Sequence, residues 1–196
     1  MQKRNDFEVK DYFVKPIKAK VNWQEIKLMV FDCDGIFSDG RIIYGSEGLE
    51  IKEFDAVDGM GLMLLRRTEM KSAIITGRSS EALSRRVQDL KIDYLFQGIS
   101  NKKKCLQELL SEMGLGFENT VYMGDDWNDV HCMRRVAFSI APANALPEIQ
   151  ENADLVLSKS GGSGAVREAI SYVLGKKGEY QTAINKYLAE VDWNED

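Results

Sequence analysis

The chain has 196 residues, of which 44% are hydrophobic, so it can bury the core of one domain or at most two small ones. Its net charge of -5 and its pI near 5.1 argue against nucleic-acid binding, since Lys102, Lys103 and Lys104 form only a short basic cluster. No apolar run approaches the roughly 20 residues that span a bilayer, so we expect no membrane association. The expected partners are a small molecule and further copies of the chain.

The cysteines indicate a reducing compartment. The three of them, Cys33, Cys105 and Cys132, are an odd number at unrelated spacings. No charged segment followed by an apolar stretch stands at the N-terminus. We therefore predict free thiols and a cytoplasmic location.

The first third of the chain predicts an arm, a strand, a hairpin and a helix. Residues 1–22 are charged and weakly patterned, which is typical of an N-terminal arm. "KLMVFDC" predicts a buried strand from residue 27. "RIIY" and "LEIKEF" predict two short strands around the turn "GSEG", and "GMGLMLLRRTEM" predicts a helix.

The rest of the chain alternates strands and helices. The predicted pairs are "KSAIITG" with a helix from Ser79 to about Leu90, "DYLFQG" with "KKKCLQELLSEMG", and "TVYMGD" with a helix from about Trp127 to Arg135. "AFSIA" and "DLVLS" follow as strands separated by "NALPEIQENA", and "GAVREAISYVLG" is a final helix. This alternation predicts an α/β domain over residues 23–177 with a parallel sheet covered on both faces. Residues 178–196 form a tail without an assigned role.

Polar residues follow three of these strands, at the edge of the sheet where ligands usually bind. They are Asp32 and Asp34, then Thr76, Gly77 and Arg78, then Asp125, Asp126 and Asp129. Two carboxylates on one strand face repel each other unless a cation relieves them. Any single Asp here could simply cap a helix or open a turn. The ordered combination instead favours a carboxylate cluster for Mg²⁺, a cation that prefers oxygen ligands.

The motifs "FDCDG", "ITGR", Lys102 in "QGISNKKK" and "GDDWND" resemble those of the haloacid dehalogenase-like hydrolase superfamily. "EIKEFDAVDGMG", "DYLFQGISNKK" and "KSGGSGAVREAI" are similar to its capless subgroup, which includes the 3-deoxy-D-manno-octulosonate 8-phosphate phosphatases. The resemblance covers most of residues 27–175. It implies a three-layer Rossmann-like parallel sheet with a β-hairpin insertion and no cap domain, that is, no inserted domain covering the site.

The resemblance also implies catalytic roles. Asp32 is expected to be the nucleophile that forms an aspartyl-phosphate, and Asp34 the general acid and base. Thr76 and Lys102 are expected to hold the phosphoryl group and balance its charge. The implied Mg²⁺ ligands are Asp32, the backbone carbonyl of Asp34 and Asp125, while Asp126 and Asp129 are expected to orient ligand waters or Lys102.

The implied reaction is Mg²⁺-dependent hydrolysis of a sugar-acid phosphate of the 3-deoxy-D-manno-octulosonate 8-phosphate type, a step of lipopolysaccharide biosynthesis. A nine-carbon sugar-acid 9-phosphate of the N-acylneuraminate type is the alternative substrate. The sugar carboxylate calls for a cationic partner, and the candidates are Arg78, Lys52 and Arg167, with Gly77 beside them. Arg78 could equally be a surface residue at a helix start.

Two positions depart from the family pattern. Cys33 stands between the paired aspartates, where a branched aliphatic residue is usual, and we expect it to be a small core residue. Val57 stands where the octulosonate enzymes commonly carry an Arg. Val57 weakens the match to one particular sugar acid.

The resemblance further implies a homotetramer. The hairpin from about Arg41 to Phe54 is too short to be a lid, so a neighbouring subunit is expected to close each site. Otherwise its apolar residues Ile42, Ile43 and Ile51 would lie near water on a marginal two-stranded unit.

Two alternatives belong to other classes of protein. A phosphoacceptor receiver domain also gathers aspartates, a Thr and a Lys at a sheet edge, but its phosphoacceptor follows an acidic pair on an earlier strand. Here the Asp-x-Asp pair comes first. A catalytically silent oligomerisation domain is the second alternative, and the retention of Asp32, Asp34, Lys102 and Asp125 argues against it.

Overall fold

A computed structural model describes residues 20–191, so most of the predicted arm and residues 192–196 lie outside the described part. Its centre is a sheet of six parallel strands: β1 (Leu28–Phe31), β4 (Lys71–Ile75), β5 (Tyr94–Phe96), β6 (Thr120–Met123), β7 (Phe138–Ala141) and β8 (Leu155–Val156). The remaining strands, β2 (Ile43–Tyr44) and β3 (Glu50–Ile51), form a separate antiparallel pair. The predicted α/β sheet and hairpin are confirmed.

The strand order in the large sheet is β5-β4-β1-β6-β7-β8. Counted along the parallel strands alone, this is 3-2-1-4-5-6, the doubly wound order in which strands are added first on one side of β1 and then on the other. Receiver domains have the flavodoxin-like order 2-1-3-4-5, so this topology excludes the receiver alternative. The reversal lies between β1 and β6, where a ligand site is expected.

Helices cover both faces of this sheet. They are α1 (Ala56–Leu65), α2 (Glu81–Leu90), α3 (Lys102–Met113), α4 (Val130–Met133), α5 (Pro147–Asn152), α6 (Ala165–Lys177) and α7 (Tyr180–Glu190). Strand β1 shows why two layers are needed, because its side chains alternate between two cores. Met29 and Phe31 pack with residues of α1, α2, α6 and α7, whereas Leu28 and Val30 pack with residues of α3, α4 and α5.

Several element boundaries differ from the prediction. Helix α1 begins at Ala56, because the Asp55 carboxylate accepts the Val57 N–H as a cap, and it ends at Leu65. The helix predicted over residues 127–135 is a 3₁₀ turn followed by the short α4. The segment 144–153 contains α5, and the tail contains α7, whose buried Ala183 joins the same core as α1 and α6.

Helix α6 receives its N-terminal cap from another helix. Its N-cap residue, Gly164, precedes the first helical position and has a φ of +93° and no side chain to offer. Asp58, buried in α1, accepts the N–H of Arg167 at 2.8 Å instead. Burial raises the pKa of Asp58 to about 6, although hydrogen bonds from the backbone N–H groups of Arg167, Gly164 and Val166 lower it. This contact joins the two helices that carry "DGMG" and the Gly-rich segment.

The insertion between β1 and α1 contains the hairpin and a 3₁₀ turn at Ser46–Gly48. Ile43 faces Ile51 across the hairpin, and both side chains are 43% exposed. Within residues 20–191, none of the helices combines the length and apolar character needed to cross a bilayer. Cys33, Cys105 and Cys132 are all buried free thiols.

Candidate active site

Three strand ends converge where the sheet order reverses. Asp32 directly follows β1, Asp125 follows β6 by two residues, and Thr76 directly follows β4. β1 lies between β4 and β6, so these side chains meet at one edge. They line a cavity of about 220 Å³ together with Asp34, Gly40, Gly77, Arg78, Asp126 and Asn128. The structure thus brings most of the predicted site residues into one pocket.

The innermost part of the site is a buried ion-pair triad. Lys102, the first residue of α3, places its Nζ 2.8 Å from Asp32 Oδ1 and 2.9 Å from Asp129 Oδ1. All three residues are at most 5% exposed. Although burial lowers the pKa of Lys102, Asp129 and Asp32 raise it above its ordinary value, so the amine stays charged. A fixed positive charge therefore stands beside Asp32.

Asp129 uses both carboxylate oxygens to organise this edge. Oδ1 also accepts the Tyr122 hydroxyl at 2.8 Å, and Oδ2 accepts the backbone N–H of Asp125 at 3.1 Å. Since both oxygens already have donors, Asp129 is suited to hold Lys102 and the Asp125 loop in place. This placement agrees with its expected supporting role.

Asp125 is suited to bind a cation. Carboxylate oxygens of Asp32, Asp125 and Asp129 lie within 4.8 Å of one another, and the buried Asp125 Oδ1 has no hydrogen-bond donor among residues 20–191. Gly35 leaves room for Asp125, because a Cβ there would lie 2.0 Å from its Oδ2. Burial, and then the charges of Asp129 and Asp32, raises the pKa of Asp125 to about 8. An all-oxygen site with a bare carboxylate fits a hard divalent cation such as Mg²⁺.

Asp34 lies at the mouth of the same pocket. β1 ends at Phe31, so the expectation that Asp32 and Asp34 project from one strand face is wrong; both lie in the turn after the strand, where Gly35 has a φ of +83°. They still line one pocket. Cys33 between them is buried in the core as expected. Burial, and then the charge of Asp34, raises the pKa of its thiol, so it stays protonated.

Two predicted substrate-binding cations contact Asp34. Lys52, just after β3, donates to Asp34 Oδ1, and Arg78 Nε lies 3.7 Å from Asp34 Oδ2. Arg78 Nη2 also contacts Glu50 Oε2 and the Tyr44 hydroxyl, each at 3.1 Å. The hairpin thus reaches the active-site edge through charged side chains.

Thr76 and Gly77 form the opposite wall of the pocket. Thr76 is buried, and its backbone N–H bonds the carbonyl of Phe96 at 2.9 Å, which extends the β4–β5 pairing by one residue. Thr76 lines the pocket together with Asp32, and its hydroxyl accepts the backbone N–H of Arg78 at 3.4 Å. The side chain is therefore placed to donate to a bound oxyanion.

Arg167 and Asp126 occupy different surroundings. The Arg167 guanidinium contacts the Tyr180 hydroxyl at 3.3 Å, and within this chain Arg167 does not line the described pocket. Asp126 is exposed at the pocket rim and accepts the Trp127 N–H at 2.6 Å, so it caps the 3₁₀ turn. The segment Gly161–Gly162 packs against the turn after β1, where a Cβ on Gly161 would lie 1.8 Å from the Gly35 carbonyl oxygen.

Sequence reasoning missed three residues that shape the site. Tyr122 looks like an ordinary strand residue, and only the structure shows its hydroxyl on Asp129. Asn144 links the turn after β1 to the Gly-rich segment, since it donates to the Gly35 carbonyl and accepts the Gly161 N–H. Glu50 bridges the two cations beside Asp34. The sequence "EIK" could have indicated Glu50, because side chains alternate along a strand and Glu50 therefore shares a face with the predicted site residue Lys52.

Comparisons with known proteins agree with this geometry. A family model described as haloacid dehalogenase-like hydrolase matches residues 95–170. The 3-deoxy-D-manno-octulosonate 8-phosphate phosphatase of Escherichia coli K12 is 38% identical over 170 residues, which are 86% of this chain and 90% of that enzyme. The chain belongs to the haloacid dehalogenase-like hydrolase superfamily. Within it, the chain falls in the branch of the octulosonate 8-phosphate phosphatases.

Solved structures of this branch have the same fold. The Moraxella catarrhalis phosphatase, in complex with a magnesium ion, a phosphate ion and the octulosonate sugar, superposes with a TM-score of 0.81. It is 35% identical, with 91% of this chain and 99% of that chain covered. The cobalt-bound Haemophilus influenzae enzyme has a TM-score of 0.78 at 34% identity, with coverage of 82% and 94%. The chain is accordingly an enzyme of the phosphoric monoester hydrolase class.

Proposed function

We propose that this chain is a Mg²⁺-dependent phosphatase that hydrolyses 3-deoxy-D-manno-octulosonate 8-phosphate, or a close sugar-acid phosphate, through an aspartyl-phosphate intermediate. One observation carries the proposal: Asp32, buried at the sheet reversal, faces a charged Lys102 at 2.8 Å and shares its pocket with Asp34, Thr76 and Asp125. A silent oligomerisation domain has no need of this arrangement. The 38% identity to an octulosonate phosphatase supports the substrate class.

Asp32 attacks phosphorus in the first step. A carboxylate oxygen forms a bond to phosphorus while the bond to the sugar oxygen breaks, so hydrolysis is divided into two easier displacements. Lys102 offsets the negative charge of nucleophile and phosphate, and the Thr76 hydroxyl donates to a phosphoryl oxygen. Because Asp129 and Asp32 both pair with Lys102, its ammonium group is held in place before substrate arrives.

Asp34 transfers the protons. In the first step it donates a proton to the leaving sugar oxygen, and in the second it accepts one from the water that attacks the phosphoaspartate. Asp34 lines the same pocket as Asp32, which supports its reach to a phosphate bound there, and Lys52 donates to its carboxylate. The second step regenerates Asp32 and releases inorganic phosphate.

Asp32, Asp125 and the backbone carbonyl of Asp34 would hold the metal. When bound, Mg²⁺ neutralises the clustered carboxylates and the phosphate charge. Asp129 supports this arrangement through the Asp125 backbone, and Asp126 lies at the rim where a ligand water could bind.

The sugar acid is recognised by the cations at the pocket mouth. Arg78 lines the pocket beside Gly77, and Lys52 lies next to Asp34, so both can approach a substrate carboxylate. Arg167 would need to act on a different copy's site, since it is held by Tyr180 in its own chain. Val57, which is 55% exposed, stands where the octulosonate enzymes commonly carry an Arg, so the nine-carbon acid 9-phosphate is kept as the alternative substrate.

We also propose a homotetramer, in which the exposed hairpin packs against other copies and a neighbour closes each pocket. The half-exposed Ile42, Ile43, Leu49 and Ile51 support this arrangement. A cytoplasmic location, where such phosphatases supply lipopolysaccharide precursors, is supported by the three free thiols.

The test is phosphate release from a substrate panel. Kinetics should be measured with the octulosonate 8-phosphate, N-acylneuraminate 9-phosphate, a neutral hexose 6-phosphate and an aryl phosphate. We expect the highest kcat/KM for the eight-carbon acid, with activity lost in EDTA and restored by Mg²⁺. A preference for the neutral sugar phosphate, or activity indifferent to chelation, would contradict the proposal.

A further inference from the structure

Four charged side chains at the pocket mouth form one connected, electrically neutral network. Lys52 pairs with Asp34, and its Nζ lies 3.7 Å from Glu50 Oε1. Arg78 pairs with Glu50 Oε2 at 3.1 Å and approaches Asp34 at 3.7 Å. The two cations and two carboxylates cancel. Glu50 contacts both cations, and the sequence does not predict it as a site residue.

The hairpin register brings Glu50 to this place. Glu50 in β3 is paired with Tyr44 in β2, and both side chains reach Arg78 Nη2 at 3.1 Å. Lys52 follows two residues after Glu50, on the same side of the chain. Thus one short strand pair delivers an acceptor for Arg78 and a cation for Asp34.

The contacts leave one side of Arg78 available. Its Nη2 is held by Glu50 and Tyr44, whereas Nη1 has no hydrogen-bond partner among residues 20–191, and the residue lines the pocket. A guanidinium held along one side can present its other donors to a carboxylate in a fixed orientation. Glu50 therefore decides where the free donors of Arg78 point.

We propose that Glu50 is a positioning residue that sets the preference for acid-bearing sugar phosphates. It binds the Nη2 end of the Arg78 guanidinium, so that the group does not close fully onto Asp34 and its free donors can meet the substrate carboxylate, and it steadies Lys52 against Asp34. Without Glu50, Arg78 has a remaining carboxylate neighbour in Asp34, 3.7 Å away. The guanidinium would turn to Asp34 and be lost to the substrate. This inference rests on the proposed function, because it concerns the sugar-acid substrate of the same site.

The test compares two substrates in three variants. Glu50→Ala removes the acceptor, Glu50→Gln keeps an amide oxygen for Arg78 but loses the charge, and Glu53→Gln is the matched control because Glu53 is exposed in the same segment. For Glu50→Ala we expect KM for octulosonate 8-phosphate to rise about 10-fold or more, since misplaced binding groups have effects of this order. We expect kcat/KM for the aryl phosphate to stay within about 3-fold.

Glu50→Gln should recover part of the loss, and Glu53→Gln should match the wild type for both substrates. Circular dichroism and the Mg²⁺ concentration for half-maximal activity should be unchanged in all three variants. Equal losses for both substrates, or a KM for the sugar acid that does not rise in either Glu50 variant, would overturn the inference alone. A wild-type chain unable to hydrolyse either sugar-acid phosphate would overturn the proposed function, and this inference with it.

Discussion

At the scale of single residues, the chemistry depends on carboxylates that are crowded and desolvated. Burial, and then the charge of Asp129, raises the pKa of Asp32 to about 7 against the opposing effect of Lys102. Asp125 is shifted in the same direction. A cluster of buried carboxylates lowers the stability of the folded state. Its presence at the carboxyl ends of the strands therefore indicates a function.

If Asp32 is the nucleophile, a substitution that changes little except its charge should cause a large loss of turnover. Asp32→Asn keeps the shape of the side chain but removes the attacking charge, so turnover should fall on the order of 10⁴-fold or more. Phosphate release measures this, with circular dichroism to confirm folding. Asp89→Asn, an exposed change on α2, is the control and should be neutral. Turnover of Asp32→Asn within about 10-fold of the wild type would contradict the assignment.

The affinity of the protein for Mg²⁺ should increase with pH. In the metal-free protein the raised pKa values keep Asp32 and Asp125 partly protonated near neutrality, and a cation must displace those protons. Mg²⁺ affinity should therefore increase from pH 6 to pH 8, by up to about 10-fold per pH unit for each proton released. Calorimetry in two buffers of different ionisation enthalpy would show the proton release. Affinity that is constant over this range would contradict the cluster's role.

Sequence alone indicated the charged residues that chemistry requires, because their types and order are distinctive. Asp32, Lys102 and Asp125 were predicted from motifs and do lie together. Tyr122 could not be predicted, since a Tyr in a buried strand gives no sign of a hydroxyl partner. The direction of a side chain such as Arg167 depends on tertiary neighbours that the local sequence does not specify.

At the scale of elements, the contact between α1 and α6 positions the Gly-rich segment. Asp58 caps α6 from outside that helix, and Gly161 packs directly on the turn that carries Asp32 and Asp34. Loss of this cap would loosen the support beneath the active site. A typical cap contributes about 1 kcal/mol to the free energy of unfolding.

The raised pKa of Asp58, about 6 against an ordinary 3.8, has a consequence for stability. The folded state binds this proton more tightly than the unfolded state, so the contribution is stabilising at low pH. It is lost as pH rises from 3.8 to 6 and is constant above. Asp58→Asn cannot titrate, so its free energy of unfolding relative to the wild type should increase by about 2 kcal/mol between pH 4.5 and pH 7. Urea unfolding measures this, and parallel pH curves for the two proteins would contradict it.

Element types were predictable where hydrophobic runs were long, and boundaries were not. Strand β1 is a continuous apolar run and most of β4 and β6 is apolar, as expected of buried parallel strands. The sequence predicts a connection where α5 lies, because six residues are too few to show a helical period, although Pro147 at the first position is a helix-start signal. The early start of α1 depends on a local cap, since the Asp55 carboxylate accepts the N–H of Val57 two residues later.

At the scale of the whole molecule, the active site and the hairpin are both left uncovered in a single chain. The pocket has no inserted lid within residues 20–191, while the hairpin exposes apolar residues that a monomer would leave in water. Assembly of copies would resolve both features.

The assembly proposal predicts a coupled change in mass and kinetics. Replacing Ile43 and Ile51 with Asp places two charges at the paired position of the hairpin, so smaller species should appear in light scattering. KM for the sugar phosphate should rise more than KM for an aryl phosphate. Leu188→Asp, at an exposed position of α7, is the control. A wild-type monomer with full activity on its sugar phosphate would show that the hairpin is not a shared lid.

The most direct test of the central claim is the trapping of the phosphorylated enzyme. Asp34→Asn lacks the acid that protonates a sugar leaving group, so the trap uses an aryl phosphate, whose leaving group can depart without a proton. The variant should form the intermediate but hydrolyse it slowly, because no base activates water. After incubation with the aryl phosphate and Mg²⁺ and an acid quench, mass spectrometry should find one added phosphoryl group, on the peptide that contains Asp32. A phosphoryl group on another residue, or turnover by Asp34→Asn at the wild-type rate without any added mass, would contradict the claim.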